Sequence, residues 1–212
     1  MPHILYLTSS PRGDASHSNQ VSASVLDELR QAHPGASVTF RDLGHDPVPQ
    51  IGEDFVTGLG VPAERRTKRQ REAISSSDAL VDELLASDIV VIGVAMINFA
   101  IPSTLKAWLD HIARAGRTFR YGENGRPEGL AKNKQVIVVQ AKGGIYSGEM
   151  KAADFVDPYL KHMLAFLGMT DIRVIDVEGT IFGEEAAKKA VAKGHEHARQ
   201  HARHVVGALK AA

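Results

Sequence analysis

Apolar residues gather into five short runs, Ile4–Thr8, Ser37–Leu43, Ile89–Met96, Gln135–Ala141 and Ile172–Val177, each the length of one β-strand. In two of them, Ile89-Val90-Val91-Ile92-Gly93-Val94 and Val136-Ile137-Val138-Val139, the apolar character is unbroken rather than alternating. A strand reads that way when both of its faces are buried, as in a parallel sheet covered by helices. Helices are predicted over Ser18–Ala32, Thr67–Ala86, Ser103–Ala115, Asp157–Leu167 and a long final stretch from Gly183 to Leu209. In Ser24–Leu29 and Ala79–Leu85 the apolar residues recur at three- and four-residue steps, which buries one helix face. Strand–helix alternation of this kind predicts a doubly wound α/β sheet formed by residues 1–212 as one domain. Right-handed crossovers allow a five-stranded flavodoxin-like order 2-1-3-4-5 or half of a dinucleotide-binding fold.

Two segments exceed what sheet-to-helix connections need. Gly44–Arg66 carries three prolines and four glycines, and Arg117–Leu130 contains Asn124-Gly125, a hairpin turn signal. Both read as surface excursions or as walls of a site or dimer contact.

Composition narrows the function. Lys plus Arg number 25 and Asp plus Glu number 25, so no whole-protein surface for nucleic acid is expected. The longest apolar stretch, Ile89 to Ile97, is far short of the roughly 20 residues that cross a bilayer, so no membrane partner is expected. Met-Pro-His leads directly into the first strand without a basic and apolar leader, and a cytoplasmic setting is the expectation. With no cysteine, disulfides, thiolate metal sites and a cysteine nucleophile are excluded.

Three loops carry chemistry. After the first strand, Thr8-Ser9-Ser10-Pro11-Arg12-Gly13-Asp14-Ala15-Ser16-His17-Ser18-Asn19 places hydroxyls before a helix, where Ser16 or Ser18 can cap and backbone N–H groups can face an anion. The chain has no Gly-Lys pair, which argues against a Walker loop, and Gly58-Leu59-Gly60-Val61-Pro62-Ala63 is a false dinucleotide match that follows no strand. The third run opens into Met96-Ile97-Asn98-Phe99 and a proline, setting polar backbone beside an aromatic and aliphatic wall. The fourth ends in Ala141-Lys142-Gly143-Gly144, whose glycines let amides approach a flat ligand. In a 2-1-3-4-5 sheet these three loops leave neighbouring strands at the switch-point crevice. A planar ring system bearing a phosphate fits there, with FMN the obvious candidate.

Ser-Ser-x5-Ser-x-Ser-Asn, Met-x-Asn-Phe, Arg-Ala-Gly-x-Thr-Phe-Arg-Tyr at 114–121 and Lys-Gly-Gly at 142–144 together resemble the FMN-dependent NADH:quinone oxidoreductase/azoreductase family, in order through nearly the whole chain to Val177-Glu178-Gly179. The resemblance implies a flavodoxin-like homodimer, non-covalent FMN, NADH or NADPH as donor, and two-electron ping-pong reduction of quinones and aromatic azo compounds. It implies that Ser10, Ser16, His17 and Ser18 hold the FMN phosphate. Met96, Ile97, Asn98 and Phe99 would line the ring, Ala141, Lys142, Gly143 and Gly144 another edge, and Tyr121 and Phe166 the substrate side. The chain departs from the family's Met-Tyr-Asn-Phe at Ile97 and from its Ser-Arg-Gly-Gly at Ala141 and Lys142. The flavin does the chemistry, so no side-chain nucleophile is needed.

Other features read as structural. His195, His197, His201 and His204 on the last helix are interleaved with Arg199 and Arg203, which fits a solvated or partner-contacting face and no metal site. The run Arg65-Arg66-Thr67-Lys68-Arg69-Gln70-Arg71 reads as a helix start, Trp108 as core or interface, and His111 as structural. The rival readings are a flavodoxin-like electron carrier, which the neutral charge disfavours, and a non-redox interaction protein on the same fold.

Overall fold

The unbroken apolar runs form the middle of the main sheet. The computed structural model describes residues 1–211, with side chains through residue 207. In chain order the elements are β1 (His3–Thr8), α1 (His17–Ala32), β2 (Ser37–Asp42), α2 (Glu53–Leu59), α3 (Lys68–Ala86), β3 (Ile89–Ala95), α4 (Ser103–Ile112), β4 (Phe119–Tyr121), β5 (Pro127–Gly129), β6 (Gln135–Ala141), α5 (Val156–Phe166), β7 (Asp171–Val177) and α6 (Glu184–Ala211). The sheet is parallel and five-stranded, in the order β2-β1-β3-β6-β7. Sequence patterning predicts five strands; the chain has seven, because the Arg117–Leu130 excursion contains a separate antiparallel hairpin, β4–β5. Its closing loop runs Gly122 to Arg126, longer than a two-residue Asn-Gly turn, with Gly122 N–H donating to Arg126 O at 2.9 Å.

Alternate residues of each strand feed two separate cores. Leu5, Leu7, Val90, Ile92, Val136 and Val138 pack with α3, α4 and α5 around the fully buried Trp108. Ile4, Tyr6, Ile89, Val91, Ile137, Val139, Ile175 and Val177 pack with α1 and α6 on the other face. His195 ties the two helices on that face, its Nδ1 2.5 Å from Ser24 Oγ. The register pairs Ala95 with Ala141 and Ala141 with Val177, so three strands end level at one edge.

The proline-rich excursion after β2 is not an open loop. It includes α2, whose Phe55 lies edge-on to His111 at 5.3 Å and beneath Arg114 at 5.6 Å. His111 is structural: its Nε2 pairs with Pro49 O at 2.8 Å. The basic run begins α3 through a capping box of Thr67 and Gln70.

The β4–β5 hairpin seats on the turn before β7, where Ala131 N–H donates to Leu167 O at 2.8 Å. A Cβ at Gly129 would overlap main-chain atoms of Leu167 and Gly168. Gly129→Ala is therefore expected to cost about 2 kcal/mol, measured as a lower urea midpoint; an unchanged midpoint would show that these two turns do not share that contact.

Candidate active site

The level ends of β3, β6 and β7, together with β1, launch the loops that carry the candidate residues. After β1 the chain is pinned to its neighbour, since Ser9 N–H and Oγ both donate to Gly93 O at 3.0 Å. Ser10 and Ser16 are buried, and the Ser10 hydroxyl accepts from Arg12 N–H at 3.4 Å. Ser16 caps α1: its Oγ accepts from Asn19 N–H at 3.3 Å and lies 3.0 Å from Ser18 Oγ. The N–H groups of His17 and Ser18 have no acceptor within the described residues, and the first turn of α1 holds no carboxylate. His17 Nδ1 is buried there without a hydrogen-bond partner.

After β3 the chain reverses through a tight turn. Ile97 N–H donates to Ala100 O at 2.9 Å and Ala100 N–H returns to Ile97 O at 3.1 Å. Between them Asn98 has φ 47° and Phe99 φ 72°. Two positive φ values in succession define the mirror-image hairpin turn that normally takes Asn-Gly. Phenylalanine in the second place costs on the order of 1 kcal/mol or more, and the fold holds it by donating Phe155 N–H to Phe99 O at 3.1 Å. The Phe99 ring is left 51% exposed, beside the exposed Ile97. Met96 stays half-buried against the core, its N–H donating to Ala141 O at 2.8 Å.

After β6 the glycine shelf is stitched to the exit of β7. Lys142 N–H donates to Val177 O at 2.9 Å, Gly179 N–H to Gly144 O at 3.0 Å and Ile181 N–H to Gly143 O at 3.2 Å. A Cβ at Gly143 would stand 2.9 Å from Ile181 Cγ2, the methyl of an exposed side chain. The N–H groups of Gly143 and Gly144 have no acceptor within the described residues.

Lys142 itself contributes only main chain to the shelf. Its side chain, 2% exposed, turns into a cluster where Nζ donates to Asp154 Oδ2 at 2.5 Å, Asp176 Oδ1 at 3.0 Å and Glu178 Oε1 at 3.4 Å. Asp154 uses its other oxygen to accept from Val156 N–H and Asp157 N–H, capping α5 next to Phe155. Burial pulls the Lys142 ammonium down, but the hydrogen bonds from Asp154 and Asp176 overcome this and hold its pKa above the ordinary lysine range. Burial likewise favours neutral Asp154, yet Lys142 and the Asp157 N–H hold that carboxyl below its usual range. Sequence reasoning did not find Asp154, Asp176 or Phe155. Their one-dimensional signal is weak, since two single acids and one aromatic lie 12, 34 and 13 residues from Lys142.

Tyr121 and Phe166 do not lie at this crevice within one chain. Phe166 ends α5, whose 11 residues carry the chain about 16 Å from the crevice toward the start of β7. Phe119 joins the two, lying 4.7 Å from Phe166 and 5.8 Å from Tyr121, and Tyr121 is 67% exposed.

A phosphate-and-ring cofactor fits this edge: a capped helix start with free N–H groups, free glycine amides and an exposed aromatic wall lie at the same end of the sheet. The chain belongs to the family with a flavodoxin-like fold, whose pattern matches residues 2–202. Within that fold it groups with the FMN-dependent NADH:quinone oxidoreductases. It is 49% identical over 191 residues to the enzyme of that name from Mesorhizobium japonicum, covering 90% of each chain. Over 200 residues it is 42% identical to the one from Azotobacter vinelandii, covering 94% of this chain and 99% of that one. Among solved structures, an FMN-dependent NADH-azoreductase from Bacillus anthracis in complex with FMN superposes with a TM-score of 0.85 at 26% identity, covering 95% of this chain and all of that one.

Lys142→Met should remove the one cation among three carboxylates and destabilise the protein by about 3 kcal/mol at pH 7. With the cation gone, burial raises the Asp154 carboxyl above its unfolded value. Stability of the variant should therefore rise as pH falls through that raised value, and its deficit against wild type should shrink from pH 7 to pH 5. A deficit that is constant over that range in urea titrations would show that Asp154 does not depend on Lys142.

Proposed function

We propose that the protein is an FMN-dependent oxidoreductase that uses NADH to reduce quinones and aromatic azo compounds. The observation that carries this reading is the meeting of a capped helix start, a strained Asn98–Phe99 turn and a glycine shelf at one sheet edge. Bound there, FMN supplies two-electron hydride chemistry between a nicotinamide and an acceptor.

The residues of the chain bind and orient. Ser10, Ser16, Ser18 and the N–H groups of His17 and Ser18 receive the phosphate at the positive end of α1, and the partnerless His17 nitrogen supplies a further polar contact. Met96, Ile97, Asn98 and Phe99 form one wall of the ring site, and the backbone of Ala141 to Gly144 forms another. The amides of Gly143 and Gly144 favour negative charge at the ring edge that they face. The nicotinamide leaves before the acceptor takes the same place, so donor and acceptor use the site in turn.

The homodimer is part of this reading. Tyr121 and Phe166 match family positions near the substrate, yet in one chain they sit at the far end of α5. Both hold if a second copy brings its hairpin to the crevice. A cytoplasmic setting accompanies the reading, because the donor must be kept reduced.

Purified protein should be yellow and bleach with NADH, and quinone reduction should give parallel double-reciprocal lines; intersecting lines would argue for simultaneous binding of donor and acceptor. Bleaching without quinone turnover would identify an electron carrier, and protein that ignores added FMN an interaction module. Phe99→Gly relieves the positive-φ strain and should raise stability by about 1 kcal/mol, while weakening FMN retention through loss of the wall. Stability and flavin affinity both left unchanged would remove Phe99 from the site.

A further inference from the structure

Behind the glycine shelf, on the β7 side, lies a groove of about 410 Å³ that the crevice residues do not line. That volume is within the range of small-molecule sites. One wall is apolar: Ile145 and Phe182 are both exposed, although Phe182 N–H is tied to Gly179 O at 3.2 Å and Ile145 belongs to the shelf loop. The opposite wall is α6, which presents Lys189 and Lys193 one turn apart across the small Ala186 and Ala190. Lys188 is paired with Glu184 and Glu185, whereas Lys189 and Lys193 are in no ion pair among the described residues.

The groove also holds Asp176 and Glu178, whose charges Lys142 does not cancel, because that one ammonium is shared with Asp154 as well. Their bonded oxygens, Asp176 Oδ1 and Glu178 Oε1, are nevertheless turned to Lys142, and Asp176 Oδ1 accepts in addition from Gln140 Nε2 at 2.7 Å. Asp176 Oδ2 makes no hydrogen bond within the described residues and, with a 48% exposed side chain, is an acceptor facing the groove. The cavity therefore offers an aromatic face, two uncommitted ammonium groups and one carboxylate oxygen suited to a hydroxyl donor.

We propose that this groove binds the adenosine diphosphate part of the nicotinamide donor, with its phosphates at Lys189 and Lys193, its adenine against Phe182 and Ile145, and its ribose diol at Asp176. The assignment rests on the reductase reading above. It follows from the position of the groove, which adjoins the shelf but lies outside the crevice. An acceptor ring has to reach the crevice itself. A dinucleotide is the reactant with a long non-reacting portion, whose remote contacts can hold the reacting ring in place. A carboxylate at the diol also repels a 2′-phosphate, so NADH is favoured over NADPH.

Calorimetric titration of the FMN-loaded protein with ADP-ribose tests this apart from turnover. Wild type should bind it, and 2′-phospho-ADP-ribose about threefold more weakly or worse. The double variant Lys189→Ala/Lys193→Ala should lose about tenfold in ADP-ribose affinity with an unchanged melting temperature. Its KM for NADH should rise by a similar factor, with kcat at saturating NADH and KM for the quinone within about twofold of wild type. No heat from ADP-ribose at millimolar concentration, equal affinity in the double variant, or an effect confined to the quinone KM would each overturn the assignment. Binding by a protein that fails to oxidise NADH would uphold the groove and remove the reductase reading instead.

Discussion

Because β1, β3 and β6 carry apolar side chains on both faces, helices must cover both sides of the sheet, and polar chemistry is confined to the strand ends. The register then decides how those ends are arranged. Ala95, Ala141 and Val177 finish level, so the turns that follow them start from one line and are joined by main-chain hydrogen bonds, with Thr180 Oγ1 donating to Lys142 O at 3.2 Å in addition. A ligand edge made mainly of backbone tolerates side-chain replacement, which is how Ile97 and Ala141 can depart from the family pattern while the shape of the edge is kept.

What backbone bonding does not fix, the Lys142 ammonium does. It joins the shelf, the exit of β7 and, through Asp154, the start of α5. From there the link runs one residue on, to the Phe155 N–H that holds the Phe99 carbonyl and with it the strained turn. A buried ammonium shared by three carboxylates is a demanding arrangement, since removing the ammonium leaves the acids without their common partner. The benefit is geometric: three loops that belong to different strands are held by one group.

Much of this was legible in the sequence. The unbroken apolar runs announced strands buried on both faces, and Ser16, Asn98 and Gly143-Gly144 marked the ends where the crevice lies. Less was legible where long-range pairing decides. Lys142 reads as a ligand neighbour because it precedes two glycines, and only folding shows its side chain turned toward acids up to 36 residues away. The proline-rich excursion hides α2, whose one buried apolar side chain, Phe55, has meaning only against His111 and Arg114. The reversed turn was hidden for a different reason. Asn98 suits the positive φ that it adopts but Phe99 does not, so local propensity points away from the structure at the aromatic ring.

The exposed side chains around the crevice carry the remaining step. Ile97, Phe99 and Phe155 are all exposed at one end of a single chain, and aliphatic and aromatic groups gathered in this way call for a cover. A flavin can cover only the part that lies over the wall. In the dimer proposed above, a second copy related by a two-fold axis would present the same surfaces in exchange, so whatever its far end supplied to one crevice would be supplied to the other as well. Tyr121 and Phe166 are held together by Phe119, with Phe166 packed against the core and Tyr121 exposed at the hairpin. On that reading the acceptor meets a ring from each chain, and the hairpin's grip on Leu167 and Gly168 becomes a determinant of substrate fit as well as of stability.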